Sequence, residues 1–250
     1  MEIPKIIHYC WFGGTPLPKS AQKCIASWRK YLPDYEIKEW NESNFDVNII
    51  PYTAQAYQAK KYAYVSDYVR FLVLYQYGGL YFDVDVEIIR PIDDIIAKGP
   101  FMGCESPAVI GESPVALGVA PGLGLGATPH LDFICELLKL YQCMSFQKEN
   151  RECISGNYKT VVTYTSELLA KHGLKNTSEV QIVDGIYIYP KDYFNPLEHI
   201  NQLTITSNTR SIHHYAGTWL PLKYRIIKKM VHFIGPKAYA CYLNLINRLK

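Results

Sequence analysis

The sequence contains no C-x-x-C pair, and its seven cysteines (Cys10, Cys24, Cys104, Cys135, Cys143, Cys153 and Cys241) are an odd number. That argues against a disulfide framework or a thiolate zinc site and predicts free thiols in a reducing compartment. No apolar run is long enough to cross a bilayer, so no spanning helix is expected. The opening, MEIPKIIHYCWFGG, carries an acid at Glu2 and only a short apolar run, and is not read as a signal peptide. Repeats and low-complexity linkers are also missing. The 250 residues are therefore read as one domain over 1–220 followed by a basic, aromatic helical appendage over 221–250.

Acidic residues are absent after Glu198. Residues 199–250 hold eight Lys or Arg, a charge of +8, so the net +3 leaves 3 − 8 = −5 on residues 1–198. Such asymmetry predicts an acidic partner for the tail. The tail interleaves Lys223, Arg225, Lys228, Lys229 and Lys237 with Ile226, Met230, Phe233 and Tyr239. That mixture suits the surface of an anionic membrane. Nucleic acid is not expected, because no recognition motif for it is present. The expected location is cytoplasmic, with peripheral contact at the inner face of the cytoplasmic membrane.

Hydrophobic residues make up 48% and charged residues 20%, which predicts an ordered core. Aromatics reach 14%, with 21 tyrosines that suit either core packing or a sugar-lined surface. Residues 5–12 read as a strand, 19–32 as a helix and 35–40 as a second strand, an opening that predicts an α/β sheet with parallel pairing. Residues 53–77 read as a helix broken near Tyr62 and stopped by Gly78-Gly79. Residues 80–90 (LYFDVDVEIIR) read as one strand, and 180–189 as two short strands around Asp184-Gly185. Helices are expected over 130–144 and 157–172. Residues 99–129, rich in Gly and Pro, resist assignment.

Asp83-Val84-Asp85 carries the chemistry. In a strand, alternate side chains share a face, so both carboxylates should point one way with Val84 in the core. Two close carboxylates repel unless a cation lies between them, and hard oxygen ligands suit Mg²⁺ or Mn²⁺. Such an ion clamps a diphosphate and offsets the charge that grows as it leaves. The frame around the motif, Leu80-Tyr81-Phe82 and Val86-Glu87-Ile88-Ile89, is too apolar for a solvated edge. Upstream, Asp67 and Arg70 are three apart on a helix and share a face. They read either as a surface ion pair or as a pair holding sugar hydroxyls and phosphate.

These residues resemble the family whose members carry a glycosyltransferase sugar-binding region with a DXD motif. Three segments carry the resemblance: Ile3-Pro-Lys-Ile-Ile-His-Tyr-Cys-Trp-Phe-Gly-Gly; Ser66-Asp67-x-x-Arg70 through Gly78-Gly79-x-Tyr81-x-Asp83-Val-Asp85; and His213-His214-Tyr-Ala-Gly-Thr-Trp219. The family includes initiating mannosyltransferases and bacterial capsule and lipopolysaccharide enzymes, with large glucosylating toxins as distant relatives. The resemblance implies a GT-A type, Rossmann-like open mixed sheet flanked by helices. It also implies a retaining transfer of a hexose or N-acetylhexosamine from a UDP- or GDP-linked sugar to a saccharide or lipid-linked acceptor. By position, it places Trp11 beside the base, and Asp67 and Arg70 on ribose and donor sugar. Asp85 would bind Mn²⁺ or Mg²⁺ directly, and Asp83 would meet ribose, the sugar or the metal through water. His214, five residues before Trp219, takes the C-terminal ligand place, and Trp219 reaches the diphosphate or scissile bond. Toxin relatives carry an acid where His214 stands, and imidazole suits Mn²⁺ at least as well as Mg²⁺.

Two other classes compete. A phosphatase or phosphotransferase of the haloacid-dehalogenase type also ends a strand in D-x-D, but there the first Asp is a nucleophile on the first strand. A non-catalytic sugar-binding module would need neither Arg70 nor a diphosphate clamp. The base, the sugar and the acceptor are not legible.

Overall fold

A computed structural model describes residues 2–106, 117–147, 159–199 and 202–217. The chain opens as β1 (Ile6–Cys10), α1 (Lys19–Tyr31) and β2 (Glu36–Trp40), with β1 and β2 parallel and in register from Ile6 opposite Glu36. Two helices follow, α2 (Pro51–Gln58) and α3 (Tyr62–Tyr77), then β3 (Gly79–Tyr81) and β4 (Val86–Ile88). The short α4 (Asp93–Ile96) leads into β5 (Phe101–Ser106), β6 (Gly118–Val119) and β7 (Leu125–Ala127). The second half contains α5 (Asp132–Gln142), α6 (Val161–Lys171), β8 (Gln181–Val183), β9 (Ile186–Tyr189), α7 (Lys191–Phe194), β10 (Leu197–His199), β11 (Gln202–Leu203) and β12 (Ser211–His213).

The main sheet runs β2-β1-β3-β7-β5-β9-β8, with β6 paired to β5. It is mixed: β1 is parallel to β2 and β3, β5 is parallel to β9, and β7 is antiparallel to β3 and β5. Alternate residues of one strand enter different cores, as a pleated strand requires. Tyr81, Met102 and Ile188 pack with α2, α3, α5 and α6, whereas Leu80, Phe101 and Tyr189 pack with α1 and Phe194. Helices therefore cover both faces, and the open mixed α/β sheet expected from the sequence is present. Seven of the 21 tyrosines, Tyr9, Tyr52, Tyr68, Tyr81, Tyr141, Tyr164 and Tyr189, are buried in the core.

Local chemistry sets the elements that hold the site. Lys60, at φ 57, separates α2 from α3, which is the break expected near Tyr62. Helix α3 is buried along most of its length, and it ends at Gly78, whose φ of 64 suits a residue without Cβ. His8 locks that end: Trp40 Nε1 donates to its Nδ1 at 3.0 Å, leaving Nε2 to donate to Gly78 O at 2.9 Å. Burial holds the His8 imidazole neutral, with its pKa lowered to about 4.

One expectation fails. The stretch 80–90 is not a single strand. β3 ends at Tyr81, the chain turns through residues 82–85 with Val86 N donating to Asp83 O at 3.0 Å, and β4 leaves the main sheet to pair antiparallel with β12. Helix α1 captures β4, through Trp28 Nε1 to Val86 O at 2.8 Å and Ile88 N to Ser27 Oγ at 2.9 Å. Val84 is accordingly only partly buried rather than a core residue. The hairpin around Asp184-Gly185 forms as read, with both residues at positive φ as a two-residue hairpin turn requires. The basic helical appendage read over 221–250 lies outside the described residues.

Candidate active site

The turn after β3 aims both carboxylates of the D-x-D at one place. Asp83, Asp85 and His213 each offer a ligand atom, and these atoms lie within 4.8 Å of one another. His213 ends β12, which pairs with β4 directly beyond the motif. Its Nε2 lies 3.0 Å from Asp85 Oδ1. The other Asp85 oxygen accepts from Ala216 N at 2.7 Å, and the Asp85 carbonyl accepts from His214 N at 2.9 Å. Burial opposes ionisation of Asp85, but His213 and the Ala216 N–H outweigh it and hold the carboxyl below its usual pKa. Burial likewise opposes charge on His213, and Asp85 overrides it, raising the imidazole pKa.

His214 does not take the expected place. Neighbouring residues at the end of a strand point to opposite sides, and His214 Nε2 lies 2.8 Å from the half-exposed carboxylate of Glu87. The histidine beside the D-x-D is thus His213. His214, chosen by its distance from Trp219 in the sequence, faces Glu87 instead.

Arg70 and Asp67 converge on the same carboxylates from α3. Both are buried, at 3% and 8% exposure, which excludes a solvated surface pair. Arg70 Nη2 lies 2.9 Å from Asp67 Oδ1 and 3.5 Å from Asp83 Oδ1, and Tyr81 Oη donates to Asp83 Oδ1 at 3.2 Å. Burial works against the Arg70 charge, but Asp83 and then Asp67 more than offset it, so the guanidinium is firmly protonated. Burial pushes the Asp67 carboxyl up to about 7 against the pull of Arg70. Arg70 carries the charge of the pair, since guanidinium does not give up its proton in proteins.

Three further residues escaped the sequence reading. Gly122 accepts from Asp83 N at 2.9 Å, and a Cβ there would overlap Asp83 Oδ2 and lie 3.2 Å from Arg70 Nη1. Glu105, at the end of β5, has its pKa raised by burial. Tyr215 contacts both Glu105 and His213. Gly122 and Glu105 belong to no motif, and Tyr215 lies within the 213–219 segment without a role read for it. Trp11 follows β1, and its indole N–H is committed to Thr15 O at 2.6 Å within its own loop. Trp219 lies outside the described residues.

Two carboxylates and one imidazole form a donor set that fits Mn²⁺ and accepts Mg²⁺. His213 Nδ1 is buried with no hydrogen-bond partner among the described residues, so this imidazole is not fully satisfied by them. The site also differs from that of a haloacid-dehalogenase phosphatase, since the D-x-D follows the third strand and Asp83 is held by Arg70 and Tyr81.

Curated relatives share part of this chain. It is 31% identical over 124 residues to inositol phosphoceramide mannosyltransferase 3 of Schizosaccharomyces pombe, covering 48% of this chain and 34% of that protein. It is 30% identical over 145 residues to a mannosyl phosphorylinositol ceramide synthase of Saccharomyces cerevisiae, covering 55% and 35%. It is 30% identical over 105 residues to the initiation-specific alpha-1,6-mannosyltransferase of Candida albicans, covering 38% and 27%. The matched region thus spans about a third of the length of these relatives. Solved structures overlap loosely. PaToxG glycosyltransferase gives a TM-score of 0.48 at 20% identity over 68% of this chain and 74% of that one, and LgtC gives 0.40 at 12% over 84% and 87%. Residues 18–102, which contain Asp67, Arg70, Asp83 and Asp85, match the family described as "Glycosyltransferase sugar-binding region containing DXD motif".

Proposed function

We propose that this chain is a metal-assisted glycosyltransferase of GT-A type. It would move a hexose or N-acetylhexosamine, with retention, from a UDP- or GDP-linked sugar to a saccharide or lipid-linked acceptor. The observation that carries the reading is the convergence of Asp83, Asp85 and His213 beside a buried, charged Arg70. Mn²⁺ or Mg²⁺ at these ligands would offset the negative charge that grows on the departing diphosphate. Asp85 and His213 are its direct ligands in this reading, and Asp83 reaches it directly or through water. Arg70 brings a fixed positive charge to the same place, oriented before substrate arrives by Asp67 and by Nε donating to Ser66 O at 3.2 Å. Asp67 offers carboxylate oxygens to ribose or sugar hydroxyls, and Trp11 and Trp219 complete the donor site at the base and the diphosphate.

The relatives' names favour a mannosyl donor and a lipid-linked acceptor, since two of them name mannosyl transfer to inositol phosphoceramide or its product. The capsular or lipopolysaccharide setting draws support only from the sequence resemblance. Peripheral docking on an anionic membrane rests on the charge of residues 199–250. No helix among the described residues is long and apolar enough to cross a membrane. The test is donor hydrolysis by the full chain. GDP-mannose, UDP-glucose, UDP-galactose and their N-acetyl forms are supplied with Mn²⁺, Mg²⁺ or EDTA. Release of nucleoside diphosphate from one donor, lost in EDTA, is the expected result. Metal-independent hydrolysis, or none with any donor while phosphate esters are cleaved, contradicts it.

A further inference from the structure

The segment carrying the two histidines is gripped from behind. Tyr215 stands at φ 48, a left-handed conformation that costs energy for a residue with a bulky side chain and persists where its surroundings enforce it. Two groups do so. Its hydroxyl accepts from Asn195 Nδ2 at 2.7 Å and donates to Glu105 Oε2 at 3.4 Å. The same Asn195 nitrogen, buried just after α7, donates to the Glu105 carbonyl at 3.0 Å. The ends of β5 and α7 are thereby tied to each other and to one phenol.

Every neighbour of Tyr215 in the chain touches Asp85. The Tyr215 ring packs on the His213 ring with centroids 4.1 Å apart, and His213 reaches Asp85 Oδ1. His214 N donates to the Asp85 carbonyl, and Ala216 N to Asp85 Oδ2. A single clamped residue thus connects the rigid sheet to three contacts on Asp85, two of them on its carboxylate.

We propose that Tyr215 is a positioning residue for the metal centre: the Asn195–Glu105 clamp on its hydroxyl sets segment 213–216 so that an imidazole and an amide N–H reach Asp85 together. This rests on the metal-centre reading above. The physical reason is that ligands held by outer hydrogen bonds arrive already oriented, and loss of such a partner costs roughly 10–100-fold in metal affinity. Without the hydroxyl, the left-handed residue loses its support, and its relaxation swings His213 and Ala216 away from Asp85.

Tyr215→Phe removes the hydroxyl alone. Mn²⁺ binding to the full chain is measured by the electron paramagnetic resonance of free Mn²⁺, and the Mn²⁺ dependence of donor hydrolysis is measured beside it. Affinity is expected to fall about tenfold or more, with turnover restored at saturating Mn²⁺. Asn195→Ala should give the same shift, and the double variant no further one, since both act through one contact. A merely structural tyrosine would lower the thermal midpoint and leave the Mn²⁺ constant alone. Should Tyr215→Phe fail to fold, Asn195→Ala decides by the same readout. Asp85→Asn separates the two claims. If it binds Mn²⁺ like the parent, the metal-centre reading itself fails. If it loses Mn²⁺ while Tyr215→Phe or Asn195→Ala keeps parental affinity, the positioning role is overturned and the metal centre stands.

Discussion

Asp67 and Arg70 come from the middle of a helix, His213 and His214 from the end of a two-stranded ribbon, and both pairs flank the same Asp83–Asp85 turn. The helical pair acts as a unit: residues three apart share a face, so both reach one buried point. The adjacent histidines are split, one to Asp85 and one to Glu87, because an extended chain sends neighbours to opposite sides. Spacing on a helix therefore carried chemical information directly. Adjacency at a strand end carried only the statement that one of the two would arrive.

The sharpest way to break this contrast is to remove Arg70. Arg70→Ala leaves Asp67 and Asp83 facing each other without their cation, and breaking such a buried pair costs about 3–5 kcal/mol. A urea unfolding series reads it, and a change within error would mean that the pair is better solvated than its burial implies. Asp67→Asn with Arg70→Ala should recover part of that loss, because the stranded charge is then gone.

Splitting the histidines is next. His213→Ala should weaken Mn²⁺ binding by at least about tenfold, the lower end of what loss of even an outer partner costs, and His214→Ala should leave it nearly unchanged. A larger loss at His214 would restore the ligand to the place the family resemblance gave it.

Gly122→Ala pushes a methyl group against Asp83 Oδ2 and toward Arg70. Such overpacking costs about 1–3 kcal/mol, shared between a lower melting midpoint and a higher KM for donor. An unchanged protein would show that this turn yields freely.

The smallest effect is pH dependence. Asp85 is held below the usual carboxylate range and His213 above the usual imidazole range. As pH falls, the proton on His213 is therefore the one that competes with metal. Mn²⁺ affinity should rise by about tenfold per pH unit up to the His213 pKa and then level. His213→Ala should flatten that slope, and a slope that survives would assign the proton elsewhere.

The sequence reading reached different depths in these regions. Residue type sufficed for β1 and periodicity for α1 and β2, and glycine with φ 64 stopped α3 where Gly78 stands. The D-x-D was legible as two carboxylates that share a face, but the turn that brings them together was not. An unbroken strand accounts for two carboxylates on one face as well as the observed turn does, and only the pairing of β4 with β12 distinguishes them. Trp28 and Ser27, which pull β4 out of the sheet, are 58 and 61 residues away in sequence, beyond any local pattern. Gly122 and Glu105 were missed for the same reason: they reach the site from a loop and a strand far apart in sequence, and the role of Tyr215 depends on the equally distant Asn195 and Glu105.

The most direct test of the central claim is the Mn²⁺ dependence of nucleotide-sugar hydrolysis in the parent chain and in Asp85→Asn. The variant keeps the side-chain size and removes the charge that holds the ion. The account predicts nucleoside diphosphate release that saturates with Mn²⁺ in the parent and falls by about a hundredfold or more in Asp85→Asn, since metal stabilisation of the leaving charge contributes several kcal/mol. Parental turnover by Asp85→Asn, or full activity of the parent in EDTA, would contradict it.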